Sequence, residues 1–129
     1  MKLSEYFEKT AGRGILATAD AHGAVNVAIY ARPHFVDEET VAFIMADRLT
    51  HKYLRSNPRA AYLFMESGEK YVGKRLYLTK IKEEENPELI GKMRRRKAYT
   101  APAEDRTEKK YLVYFHIEKI LPLIATHDS

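Results

Sequence analysis

Cysteine is absent from the 129 residues, which excludes disulfides, thiolate nucleophiles and zinc–thiolate sites and suits a reducing cytoplasm. Tryptophan is absent as well, against nine tyrosines. No run approaches the roughly 20 apolar residues that a membrane span requires. The opening stretch, Met1-Lys-Leu-Ser-Glu-Tyr-Phe7, carries charge where a secretory signal needs an unbroken apolar segment. These absences predict a soluble, cytoplasmic protein with no membrane partner. Missing motifs narrow the chemistry further. HExxH, GxSxG, GxGxxG and the P-loop do not occur, and the histidines at 22, 34, 51, 116 and 127 share no metal-ligand spacing. The chain lacks a self-sufficient catalytic set, so any redox or transfer chemistry would rest on a cofactor.

What is present describes one folded domain. The length fits a single hydrophobic core, and 45% hydrophobic with 31% charged residues is ordinary globular composition. The net charge of +4, from 22 basic and 18 acidic residues, leaves open a phosphate ligand, a nucleic acid or no anionic partner.

Along the chain, Ser4 reads as the N-cap of a short helix over residues 4–11 that Gly12 ends. Gly14–Ala19 and Ala24–Tyr30 flank an Asp20–Gly23 turn and predict a β-hairpin. Pro33 places the next segment at a bend or an edge. After an Asp37–Thr40 turn, Val41–Ala46 forms a strand. Thr50–Asn57 then predicts a helix with Thr50 as N-cap and Pro58 as its stop. Strands follow at Ala60–Met65 and Arg75–Ile81, with a turn at Gly68. Asn86 caps a helix over residues 86–97, with Pro87 in its first turn and Arg94–Lys97 at its C-terminal end. Residues 98–110 read as a loop or lid, and Tyr111–Ile117 as the last strand. The expected fold is mainly β (α+β): a six- or seven-stranded antiparallel split β-barrel with two or three short helices.

One junction carries chemistry. A helix N-terminus bears free N–H groups and partial positive charge, so Arg48, His51 and Lys52 beside it are unfavourable unless an anion is bound. A phosphate held by Thr50, Arg48 and Lys52 resolves the conflict; so do solvated basic side chains beside an ordinary Thr cap. Arg94–Lys97 reads as a solvated helix end favoured by the dipole, with an acidic or nucleic-acid partner as the alternative.

The ordered set of features resembles a known family. Gly14-Ile-Leu-Ala-Thr18 precedes Asp20-x-x-Gly23, and Val25-Asn-Val-Ala-Ile-Tyr30 follows it. Then come the Val41–Ala46 strand, Arg48-x-Thr50, Leu54-x-x-Asn57-Pro58-x-Ala60-Ala61, Gly73-x-Arg75-Leu76 and a final strand ending Ile120-Leu-Pro122. Over roughly residues 13–82 and 111–122 this resembles the pyridoxamine 5'-phosphate oxidase-like FMN-binding split barrels. The resemblance implies FMN as cofactor, its phosphate at Arg48, Thr50, His51 and Lys52, and its ring against Ala28, Ile29, Tyr30, Ala31, Met45 and Ala46. It also implies a homodimer whose second subunit completes each flavin site. The family commonly carries a lysine where this chain has Thr50. The oxidase proper has a tryptophan and an Arg-Leu-x-Pro segment, where this chain reads Lys119-Ile-Leu-Pro122. The expectation is therefore an FMN oxidoreductase or electron-transfer protein that does not oxidise pyridoxamine phosphate, with a small-molecule or protein redox partner. Two alternatives stand beside it. One is a nucleic-acid-binding barrel using its basic residues and tyrosines. The other is a non-catalytic flavin or haem binder.

Overall fold

The computed structural model describes residues 1–96 and 109–125, the side chains of Arg95 and Arg96 excepted. Lys97 and most of the expected lid, residues 98–108, lie outside them. Ten elements follow in order: α1 (Leu3–Lys9), β1 (Gly12–Ala19), β2 (Val25–Tyr30), β3 (His34–Asp37), β4 (Thr40–Ala46), α2 (Leu49–Ser56), β5 (Arg59–Glu66), β6 (Gly73–Glu84), α3 (Pro87–Arg96) and β7 (Lys110–Pro122). Among the described residues no helix is long and apolar enough to cross a membrane.

The strands form one antiparallel sheet in the order β2-β1-β5-β6-β7-β4-β3. Local chemistry explains its beginning. Asp20 accepts from the backbone N–H groups of His22 and Ala24, both at 2.9 Å, and folds the turn that closes the β1–β2 hairpin. Those backbone donors, Ala24 first, hold the Asp20 carboxyl below its usual range. Pro33 ends the extended run, and β3 after it is an edge strand, as expected. Gly68 takes a φ of +126° in the turn between β5 and β6, a conformation that side chains rarely adopt.

The sheet curls around a core of Leu16, Phe43, Leu54, Phe64, Leu76 and Phe115, all buried, with Phe7 of α1 packed against Phe64 in it. Tyr62 lies in the same core. Its phenol donates to the carbonyls of Tyr30 (3.3 Å) and Ala31 (3.1 Å), and its ring crosses the backbone where Gly14 lacks a side chain. A Cβ on Gly14 would collide with that phenol. A smaller cluster on the other face of the sheet packs Leu89, Ile90 and Met93 of α3 on Ala42, Ile44, Leu112 and Tyr114.

Several expected boundaries shift. Ser4 does not cap α1: Lys2 holds the cap position, and Ser4 bonds Glu38 through both its N–H and its hydroxyl. Thr10, rather than Gly12, follows the last turn of that helix, and Gly12 opens β1. Thr50 is not the cap of α2 either. Arg48 occupies that position without a side-chain cap bond, and Thr50 sits inside the first turn. Asn86 does cap α3, accepting from the Leu89 N–H at 3.1 Å. Lys110, expected in the loop, is the first residue of β7.

Candidate functional site

Edge strand β2 and strand β4 do not pair, and a cleft of about 250 Å³ lies between them. Its walls are Ala28, Ile29 and Tyr30 on one side and Ile44, Met45 and Ala46 on the other. Small alanines leave room there, and the aliphatic neighbours make the walls apolar. At one end the chain leaves β4 and enters α2, bringing Arg48 and Thr50 to the cleft. Arg94 and Lys110 also line it, and among the described residues no carboxylate does.

Thr50 is 4% exposed. Its hydroxyl oxygen accepts from the Asn26 amide at 3.1 Å, which ties α2 to β2. That bond occupies a lone pair of the oxygen and leaves the hydroxyl proton able to donate. The first turn of α2 contains no acidic residue, so its partial positive charge is not offset by a side chain within that turn.

His51 points elsewhere. It is 1% exposed, stacked on Tyr111 with ring centroids 4.2 Å apart. Its Nδ1 lies 2.8 Å from Asp47 Oδ1 and its Nε2 2.9 Å from Glu83 Oε2. Arg55 donates to Asp47 at 3.0 Å and Lys80 to Glu83 at 2.6 Å, so the helix is fastened to β6 through a charged cluster. The bond from His51, aided by Arg55, holds the Asp47 carboxyl below its usual range despite some desolvation. Desolvation raises Glu83, but the Lys80 ammonium and His51 more than offset it, and this carboxyl is lowered too. His51 thus ties α2 to β6 and is not part of the cleft's lining.

Of the residues expected at the flavin, the fold brings together Ala28, Ile29, Tyr30, Met45, Ala46, Arg48 and Thr50. Lys52 is exposed and does not line the cleft. Ala31 faces a neighbouring recess with Arg32, His34 and Phe43. Arg94 is not in a solvated helix end: it is half-buried and faces the cleft. Sequence reasoning missed Asn26, Ile44, Arg94 and Lys110. Asn26 carried a signal, as the lone polar residue of an otherwise apolar or aromatic strand; Lys110 carried none. Two of the strand tyrosines are buried within the subunit. Tyr62 is buried in the core. Tyr114 is buried against α3, and burial, followed by its 2.7 Å bond to Glu84, pushes its phenol up to about 12.

No family model and no curated protein matches the chain. Solved structures do match in fold. An FMN-binding protein from Syntrophomonas wolfei subsp. wolfei superposes with a TM-score of 0.77 at 17% identity, covering 98% of this chain and 86% of that one. An F420 reductase gives 0.74 at 16% identity, with 94% and 98% covered. A pyridoxamine 5'-phosphate oxidase-like protein from Lactobacillus delbrueckii gives 0.64 at 15%, with 94% and 92% covered. Seven antiparallel strands in this order, with a cleft at the open seam, give the chain the split-barrel fold of the pyridoxamine 5'-phosphate oxidase-like proteins.

Proposed function

We propose that this chain is an FMN-binding flavoprotein, an oxidoreductase or electron-transfer protein, working in the cytoplasm as a homodimer with two equivalent flavin clefts. One observation carries the reading: a single cleft joins apolar walls to an end bearing Arg48 and the buried hydroxyl of Thr50. That donor set fits a flat aromatic ring with a phosphate tail. FMN, when bound, supplies hydride or electron transfer. The chain's own part is to bind and orient. Ala28–Tyr30 and Ile44–Ala46 exclude water from the ring, Thr50 donates to the phosphate, and Arg48 balances its charge. The FMN-binding protein and the F420 reductase of like fold support a flavin-type ligand. The missing tryptophan and the Lys119-Ile-Leu-Pro122 segment stand against pyridoxamine phosphate as substrate.

Two features support the dimer. The cleft, at about 250 Å³, is smaller than the roughly 300–1,000 Å³ of typical ligand sites, which suits a second surface that completes it. Beside it β2 exposes Ile29 at 85%, Val25 at 80% and Val27 at 68%, continued across the hairpin by Ile15. An apolar sheet face of this kind is costly in water and suited to a self-complementary contact. The deciding experiment is the spectrum of the purified protein. Flavin absorbance with FMN released on denaturation supports the reading; a colourless protein that also fails to take up added FMN ends it.

A further inference from the structure

Arg48 and Thr50 are not the only polar groups lining the cleft. Lys110 pairs with Ala46 across the β4–β7 ladder, two residues before Arg48. Arg94 follows Met93 on α3, whose apolar side packs on Ala42, Ile44 and Leu112, and this docking brings Arg94 to the cleft. Both residues are half-buried. The α3 dipole explains a cation near that helix's C-terminal end, but not one that faces a cleft, and it says nothing of Lys110. Long basic side chains that serve only solubility turn their heads to water. Here a helix cap, a helix and a strand, far apart in sequence, each deliver a cation to one cleft.

We propose that Arg94 and Lys110 are anion-binding residues which, with Arg48 and Thr50, hold the phosphate group of the cleft's ligand, while Lys52 takes no part. The identity of that ligand as FMN rests on the function proposed above; the class of group, a phosphate monoester, rests on the residues themselves. Arg94 supplies a planar fork that can engage two phosphate oxygens, Lys110 a point charge, and Thr50 a hydroxyl donor. A phosphate carrying close to two negative charges is the group such a set balances.

The test uses Arg94→Met and Lys110→Met, which keep the apolar stems, with Arg94→Lys as the charge-preserving control and thermal melting as the check on folding. Each Met variant is expected to bind FMN about tenfold more weakly, the scale of one charge-assisted hydrogen bond. Riboflavin, which lacks the phosphate, should bind parent and variants alike, Arg94→Lys should recover part of the loss, and Lys52→Ala should match the parent. A second arm measures the melting temperature of flavin-free protein against inorganic phosphate. Phosphate should raise it in the parent and not in the double Met variant. Unchanged FMN binding, an equal loss for riboflavin, or equal phosphate stabilisation of parent and double variant would overturn the inference. A parent that binds no flavin, yet whose phosphate stabilisation disappears in the double variant, would end the flavin reading and leave this one standing. Neither FMN binding nor phosphate stabilisation in the parent would end both.

Discussion

The amide of Asn26 donates to the hydroxyl of Thr50 at 3.1 Å, joining the edge strand of the sheet to the first turn of α2. The bond occupies one lone pair of the Thr50 oxygen and leaves its proton able to donate to a phosphate oxygen in the cleft that Thr50 lines. Thr50→Val is therefore expected to weaken FMN binding by about 1–2 kcal/mol while leaving riboflavin binding unchanged. Titration followed by flavin fluorescence separates the two ligands, and equal losses for both would remove Thr50 from the phosphate site.

The exposed face of β2 gives a second expectation. Val27→Asp places a charge in the middle of the apolar stripe formed by Val25, Val27, Ile29 and Ile15. The variant should sediment as a monomer at concentrations where the parent is a dimer, and should lose flavin with the partner's surface. Light scattering across a dilution series, with flavin quantified per chain, checks both. A monomer that retains one tightly bound FMN per chain defeats the shared-cleft arrangement.

The charged cluster around His51 sets an acid limit. Asp47 and Glu83 both titrate below their ordinary ranges in the folded protein. Their contribution to stability is thus complete above the unfolded carboxylate pKa, near about 4, and is lost as pH falls through the lower folded values. Urea unfolding midpoints should decline between about pH 5 and pH 3. Glu83→Gln should flatten part of that decline, because the glutamine cannot protonate. A variant with the parent's pH dependence would show that the pair is solvated in solution.

Gly14 and Tyr62 give a stability expectation. Gly14→Ala forces the Tyr62 ring from its seat, and with it the phenol bonds to the Tyr30 and Ala31 carbonyls. Overpacking of this kind costs about 1–3 kcal/mol, measurable as a lower urea midpoint. Because those carbonyls end the β2 wall, flavin binding should fall as well. A fully stable Gly14→Ala protein would mean that the phenol has another place to go.

Much of the fold was legible along the chain, because its signals are local. The Asp20–Gly23 turn, Pro33 at an edge, and Asn86 before Pro87 each act within a few residues, and the elements they bound are where the sequence puts them. The caps at Ser4 and Thr50 failed because each hydroxyl has a distant partner. Ser4 donates to Glu38, which draws it away from the cap position, whereas the Thr50 oxygen accepts from Asn26, a donor that competes with the local N–H groups. The face of β2 was not legible either. Alternation alone would turn Val25, Val27 and Ile29 toward the core, but the fold turns Asn26, Ala28 and Tyr30 inward to reach Thr50, the cleft and Phe43.

The site divides in the same way. Sequence by itself determined that a strand runs into a helix at Ala46–Leu49 with cations and a threonine beside it, since turn and helix signals act between neighbours. Only the tertiary structure decided which of those groups meet. The curl of the sheet brought β2 opposite β4, the β4–β7 register set Lys110 beside Ala46, and the packing of α3 carried Arg94 to the cleft. The same packing withdrew His51 between Asp47 and Glu83, 32 residues further along the chain, and left Lys52 facing water. Long-range register and helix docking follow from burial summed over the whole core, and no short stretch of sequence contains that sum.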